Sequence, residues 1–311
     1  MNTTPKKSIL LFAVLGGILA VSTSSIFIRF ANQDAPSLAI ATYRLLIANI
    51  ILAPIVFFKY KPELQKLTSN ELLLGLASGF FLAIHFATWI SSLEYTTISS
   101  SVVLVTTTPL WVAMLSPIIL REPSGKPVII GMFLALLGGC IVGISDACVW
   151  NRGIICPPFS TFFKGNAFLG DFLALCGAWM AAGYIMIGRR LRSQLSLIPY
   201  IFIVYGMAAL VLLALLIVSH QKPFGYQPIS YLWLFLLALV PQLLGHSTFN
   251  WALRYLPASL VSVTLLGEPI GSTILAYIIL KETPSTIKLI GAVFIIAGIY
   301  ISSSSRKNVA P

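Results

Sequence analysis

The sequence predicts an all-α integral membrane protein in which ten transmembrane helices form two inverted five-helix repeats. Three observations carry this. Of 311 residues, 58% are hydrophobic and only 9% charged, whereas a soluble globular domain carries about 25% charged residues. The apolar residues fall into ten runs, each near the ~20 residues that let an α-helix cross ~30 Å of hydrocarbon. The chain also matches itself at an offset of 160 residues.

The first run, 8–29, follows Lys6-Lys7 and has the look of a secretory leader with a poor cleavage site at Ala20-Val21-Ser22. It exceeds the roughly 7–15 residues of a leader's apolar core and leads straight into further spans, so an uncleaved first helix is expected. Spans at 36–58, 71–92, 97–119 and 127–145 complete the first five; those at 167–188, 197–219, 230–252, 258–280 and 285–303 form the second five. Turn and charge signals separate them, among them Asp34-Ala35-Pro36, Arg121-Glu122-Pro123, Gly188-Arg189-Arg190 and Lys281-Glu282-Thr283-Pro284. The one long connection, with Pro157-Pro158, falls midway. The chain therefore divides into a first repeat over 1–145, a connecting loop over 146–166, a second repeat over 167–303 and a tail over 304–311.

A net charge of +11 would suit nucleic acid if it were clustered, but the Lys and Arg residues lie in short connections, so no nucleic-acid partner is expected. With the N-terminus in the cytoplasm, the inside segments hold thirteen Lys and Arg and the outside segments six. The positive-inside rule then places both termini in the cytoplasm of a multi-pass inner-membrane protein and the 146–166 loop in the periplasm. In that compartment Cys148 and Cys156 are a disulfide candidate, with two free thiols equally open. Cys140 and Cys176 lie in apolar helices, no His or Cys stands at zinc-ligand spacing, and no metal or cofactor is expected. The remaining partners are lipid and a small-molecule substrate; monomer and homodimer both stay open.

At the 160-residue offset Leu93 and Tyr95 fall on Leu253 and Tyr255, Ser99 on Ser259, and Pro109 on Pro269. Glu122 then falls on Glu282, Gly131 on Gly291 and Gly138 on Gly298, without a gap. Chance pairing of Leu-rich segments does not account for the Pro, Glu and Gly matches together. Five spans per repeat is an odd number, so the second repeat enters the membrane with the opposite orientation. Inverted halves are how many secondary transporters build two conformations around a midplane site.

The stretch from Ser99 to Pro109, the Leu120-Arg121-Glu122-Pro123 loop and the Gly131 to Gly138 helix resemble the signature of the EamA family of the drug/metabolite transporter superfamily. A second copy fits at Leu266-Gly267-Glu268-Pro269, Leu280-Lys281-Glu282-Thr283 and Gly291 to Gly298, and Tyr43-Arg44-Leu45 resembles the family's arginine position in the second helix. The resemblance implies a ten-helix transporter with a central cavity lined chiefly by helices 1, 3, 4, 6, 8 and 9. It implies a small metabolite as substrate, often an amino acid moved outward, with nucleotide sugars in more distant relatives. One departure stands out: the first repeat has Thr107-Thr108-Pro109 where the second has Gly267-Glu268-Pro269, so only one repeat supplies a carboxylate there.

Ionisable residues inside a membrane cost at least ~2.5–3.5 kcal/mol on insertion scales and so face a cavity or a partner. Glu268 is the eleventh residue of its span, near the midplane, and Pro269 beside it frees a carbonyl to face a cavity. It is a candidate both for binding a substrate ammonium and for proton coupling; a neutral helix contact is the alternative. Gln242, His246 and Asn250 recur every four residues on one face of helix 8, lining the cavity or clamping a neighbour. Phe81, His85 and Trp89 do the same on helix 3; His85 is a second proton-coupling candidate and Trp89 a stacking surface. Arg44 binds a substrate carboxylate or, the favoured reading, snorkels to the periplasmic surface. Asp171 reads as interfacial, Trp179 and Tyr184 as aromatic surface or packing, and the glycine pairs as close helix contacts.

The function expected is secondary active transport of a small, amino-acid-like or aromatic-bearing metabolite, in the export direction and with proton coupling as a separate hypothesis. No Walker-type glycine loop is present to supply ATP hydrolysis. The alternatives are a facilitative channel or exchanger, and a membrane-embedded lipid-modifying enzyme. An enzyme would need paired acids or a nucleophile with its base, and the sequence offers neither, so the protein reads as a non-enzyme.

Overall fold

A computed structural model describes residues 5–95, 101, 104–147, 149–150, 154–155, 166–281 and 285–304. Ten helical runs lie among them: α1 (Lys7–Ala31), α2 (Ser37–Gln65), α3 (Ser69–Tyr95), α4 (Thr108–Ile119) and α5 (Lys126–Ala147). The others are α6 (Asn166–Arg192), α7 (Leu197–Val218), α8 (Pro228–Ala252), α9 (Ala258–Ile279) and α10 (Thr286–Ser304). Seven of these are long and apolar enough to cross a membrane; the apolar stretches of α4, α5 and α10 are shorter, at Thr108–Ile119, Lys126–Ile141 and Leu289–Ser302. Much of the start expected for the fourth span falls on residues outside those described. The only extended pairing among the described residues is a two-residue ribbon, Val149–Trp150 against Ile154–Ile155, in the connecting segment.

Lipid as solvent reverses the usual distribution of large apolar side chains. Phe58 is 91% and Ile118 77% exposed, while the interior uses small residues such as Ala39, Ala48, Ala182 and Ala208 at full burial. Close backbone approach and dispersion contacts, not exclusion of water, hold such a bundle together.

The repeat can be read in the packing. α3 packs on α6, α5 on α10, α7 on α2 and α3, α8 on α1 and α2, α9 on α1, and α4 on α6 and α9. Replacing each helix by the one five places away returns the same set: α3–α6 becomes α8–α1, and α4–α6 becomes α9–α1. The pairs α2–α7, α4–α9 and α5–α10 map onto themselves. Two of these self-paired couples show directly that the helices run antiparallel. Gly131 of α5 meets Gly298 and Ser302 of α10, whereas Gly138, one heptad on, meets Gly291 and Ile295. In α2 and α7, Asn49 lies against Gly206 and Phe57 against Phe202. Helices equivalent by sequence therefore point in opposite directions, as inverted repeats require.

The repeated glycines have a physical reason. A Cβ on Gly131 would lie 2.3 Å from the Gly298 carbonyl oxygen, and one on Gly138 would lie 2.5 Å from that of Gly291. The four positions that superpose in sequence pair crosswise in space, which is the close-packing reading of these glycines. The turn after each copy is repeated too: Arg121 and Lys281, 160 residues apart, both take the left-handed conformation, with φ of 56° and 58°.

Candidate functional site

The helices of the two repeats enclose a cavity of about 100 Å³. Its lining obeys the same offset. Val21 faces it with Ala181, Ser24 with Tyr184, Phe86 with His246, Trp89 with Phe249, Val105 with Leu265, and Thr108 with Glu268, each pair separated by 160 residues. Phe86 and His246 touch one another, ring centroids 5.5 Å apart, which puts them at the axis relating the halves. Local contacts repeat in step: a Cβ on Gly17 would meet Thr248 and Phe249, and one on Gly177 would meet Thr88 and Trp89. The lining comes from α1, α3, α4, α6, α8 and α9, and in addition from α2 through Arg44.

Arg44 does not snorkel. It is 1% exposed and points inward, donating from Nε to Gln242 Oε1 at 2.8 Å and from Nη1 to Ser24 Oγ at 3.0 Å. Its guanidinium stands 4.4 Å from the Phe86 ring centroid. A buried guanidinium that already has two fixed partners and an aromatic face is held more firmly inside than the flexible stem could hold it at the surface. Its Nη2 is buried with no hydrogen-bond partner among the described residues, as is the indole Nε1 of Trp89. Among the described residues the cavity lining thus carries two buried donors, Arg44 Nη2 and Trp89 Nε1, without acceptors.

Glu268 is the acid of the same cavity. Pro269 takes the donor that would serve the Leu265 carbonyl, and the backbone compensates by tightening to a 3₁₀ turn over Leu265–Gly267, in which the Glu268 N–H bonds Leu265 O. The carbonyl expected to face the cavity is thus satisfied in place. The Glu268 carbonyl accepts from Ser22 Oγ at 3.1 Å, and Gly267 and Gly271 let α1 approach this turn closely. The carboxylate itself makes no hydrogen bond with any described residue, and its main electrostatic partner is Arg44.

The helix 8 stripe divides. Pro241 lies in a widened π-helical stretch, Ala238–His246, where its missing N–H breaks the α-helical ladder. Gln242 is fully buried as the anchor of Arg44 and does not line the cavity. Asn250 lines it and also clamps α6, accepting from the Tyr184 hydroxyl at 2.8 Å and donating to Tyr205. His246 lines it against Phe86. On helix 3, His85 and Trp89 are in the lining and stack with centroids 5.9 Å apart, the His85 Nδ1 lying 2.9 Å from Gly177 O. Phe81 instead packs on Gly183 of α6. Trp179 lies edge-on to Trp111, outside the lining. Cys148 and Cys156 lie outside the described residues. Ser24, Phe86, Thr108 and Tyr184 belong to the cavity without having been singled out as ligands; their sequence signal is the register with Tyr184, His246, Glu268 and Ser24.

The profile of the EamA-like transporter family matches residues 7–144 and again 168–304. The chain belongs to that family. Uncharacterized transporters resemble this EamA protein over most of their length: one from Archaeoglobus fulgidus is 22% identical over 91% of this chain and 93% of its own. YetK from Bacillus subtilis is 25% identical over 97% and 89%, and one from Clostridium kluyveri 26% identical over 85% and 82%. A solved crystal structure with 15% identity superposes with a TM-score of 0.76 over 98% of this chain and 100% of that one, which supports the fold alone. The EamA protein is a multi-pass membrane transporter.

Proposed function

We propose that the protein is a secondary active transporter that carries a small zwitterionic or aromatic-bearing metabolite outward across the inner membrane by alternating access. The observation that carries this is the cavity at the axis of the two repeats: a site shared by inverted halves is presented to either face when one half rocks on the other. The free Nη2 of Arg44 and the indole N–H of Trp89 are suited to a substrate carboxylate, Glu268 to an ammonium, and the His85, Phe86 and Trp89 rings to an apolar or aromatic side chain. A polyphosphate would want several cations, and Arg44 is the one Lys or Arg side chain in the described lining. Glu268, with His85 beside the same cavity, is assigned the exchangeable proton. Both termini are assigned to the cytoplasm on the charge bias.

The test is a thermal-shift screen of the purified protein against amino acids, aromatic amines and carboxylates, followed by counterflow of any hit in proteoliposomes. Saturable counterflow that stops when the mouth at either face is crosslinked is the expected result. If no compound shifts the melting temperature or moves, the assignment fails; if flux continues with one mouth locked, the protein is a channel.

A further inference from the structure

Behind the cavity wall, the end of α6 reaches across to the other repeat. Arg189, four residues past the cavity-lining Ile185, donates from Nε to Glu122 Oε1 at 2.7 Å, with its Nη2 also 2.7 Å from that oxygen. Its Nη1 donates to the carbonyls of Leu253 at 2.7 Å and Arg254 at 3.2 Å, where α8 ends. Leu253 itself lines the cavity. One guanidinium therefore joins the α4–α5 connection of the first repeat to α6 and the end of α8 of the second, directly under the site. Both contacts to the acid converge on one oxygen, and the other, Oε2, is buried and has no hydrogen-bond partner among the described residues. Arg189 is 22% and Glu122 27% exposed, so the pair lies at the edge of the packed interior, with one side open to water and the Oε2 side closed, and it can be released as well as formed.

We propose that the Arg189–Glu122 pair is the latch that closes the cavity toward the face carrying the α4–α5 loop, and that its release accompanies opening on that face. Arg192, three residues on, is fully buried and donates to the carbonyls of Asn250 and Leu195. α6 and α8 are thereby tied to each other, which leaves Glu122 as the separable partner. The 160-residue register adds a second argument. It places Arg29 of α1 opposite Arg189 and Glu282 opposite Glu122, so the same two residue types recur at the corresponding positions of an inverted chain. Glu282 lies outside the described residues, and the correspondence there is one of sequence.

The latch rests on the alternating-access reading, and the experiment separates the two. The cysteines at 140, 148, 156 and 176 are replaced by serine and Ala181→Cys is introduced as a reporter in the cavity lining. A membrane-impermeant sulfonated maleimide is added to sealed vesicles of each orientation, so that labelling from each face is timed separately. E122Q removes the charge while keeping the size of the side chain, and R189Q tests the other partner. Each is expected to raise the labelling rate from the Glu122 face by about fivefold, the population ratio that the upper end of the ordinary range for water-accessible ion pairs controls, and to lower it from the opposite face. If the reporter is labelled in the parent but neither variant changes its rates by more than about twofold, the latch is overturned and the transport reading stands. Parental labelling from the two faces that crosslinking either mouth leaves unchanged overturns both.

Discussion

Gly138→Val puts the inverted packing at risk in a way that needs no substrate. Its Cβ would stand 2.5 Å from the Gly291 carbonyl oxygen and 2.8 Å from Ile295 N and Cγ1. Ordinary contact begins at 3.4 Å, so α5 and α10 must separate by at least 3.4 − 2.5 = 0.9 Å. The relief pulls apart an interface in which Gly131 meets Gly298 in the same way. Overpacking of this kind costs about 1–3 kcal/mol, and the better helix propensity of Val returns only a few tenths of that. Net destabilisation of about 2 kcal/mol follows. Two controls calibrate it. At Gly16, which is exposed, nothing lies within 4 Å of a Cβ, so Val there should stay within about 0.5 kcal/mol of the parent; at buried Gly139 the nearest atom to a Cβ is Thr106 Oγ1 at 3.7 Å, so Ala, which adds that Cβ alone, should be no less stable than the parent. Reversible unfolding in mixed micelles, followed by tryptophan fluorescence, measures all three. If G138V is no less stable than G16V, the crosswise glycine contact does not hold the repeats together.

Other substitutions test the polar frame. Asn250→Ala removes the partner of the Tyr184 hydroxyl, while Tyr205 keeps Ser247 Oγ at 3.2 Å, so a loss of about 1–3 kcal/mol is expected. Combined with Tyr184→Phe the losses should fall short of additive, and additive melting shifts would argue against a working clamp. Arg44→Lys keeps the charge but cannot reproduce the fork that reaches both Gln242 and Ser24; it should destabilise the protein by about 1–3 kcal/mol and weaken any carboxylate ligand at least tenfold. A ligand shift as large as the parent's would remove Arg44 from the binding site.

The architecture was legible because its signals are local or periodic. Apolar runs mark helices, and Pro109 with Pro269 or Gly131 with Gly291 mark the repeat, since a proline or a close-packed glycine is demanded by backbone geometry. Glu268 could be placed near the midplane from its position in an apolar run. Arg44 could not be oriented, because an arginine eight residues into a helix can turn either way and its direction depends on Gln242, 198 residues later. The α8 stripe presupposes an unbroken helical period, and the π-helical stretch Ala238–His246 around Pro241 widens it between Gln242 and His246. Arg189 and Glu122 looked like ordinary loop charges. Only their proximity in space, across 67 residues of sequence, gives them a shared task.

The central claim is that Glu268, in a cavity between inverted halves, couples a proton to transport. Proteoliposomes containing the parent or Glu268→Gln, loaded with a ligand found by thermal shift, test it under an imposed pH gradient and at equal pH. E268Q is expected to lose gradient-driven accumulation while counterflow at equal pH persists. Accumulation by E268Q equal to the parent's, with the same dependence on pH, would contradict it.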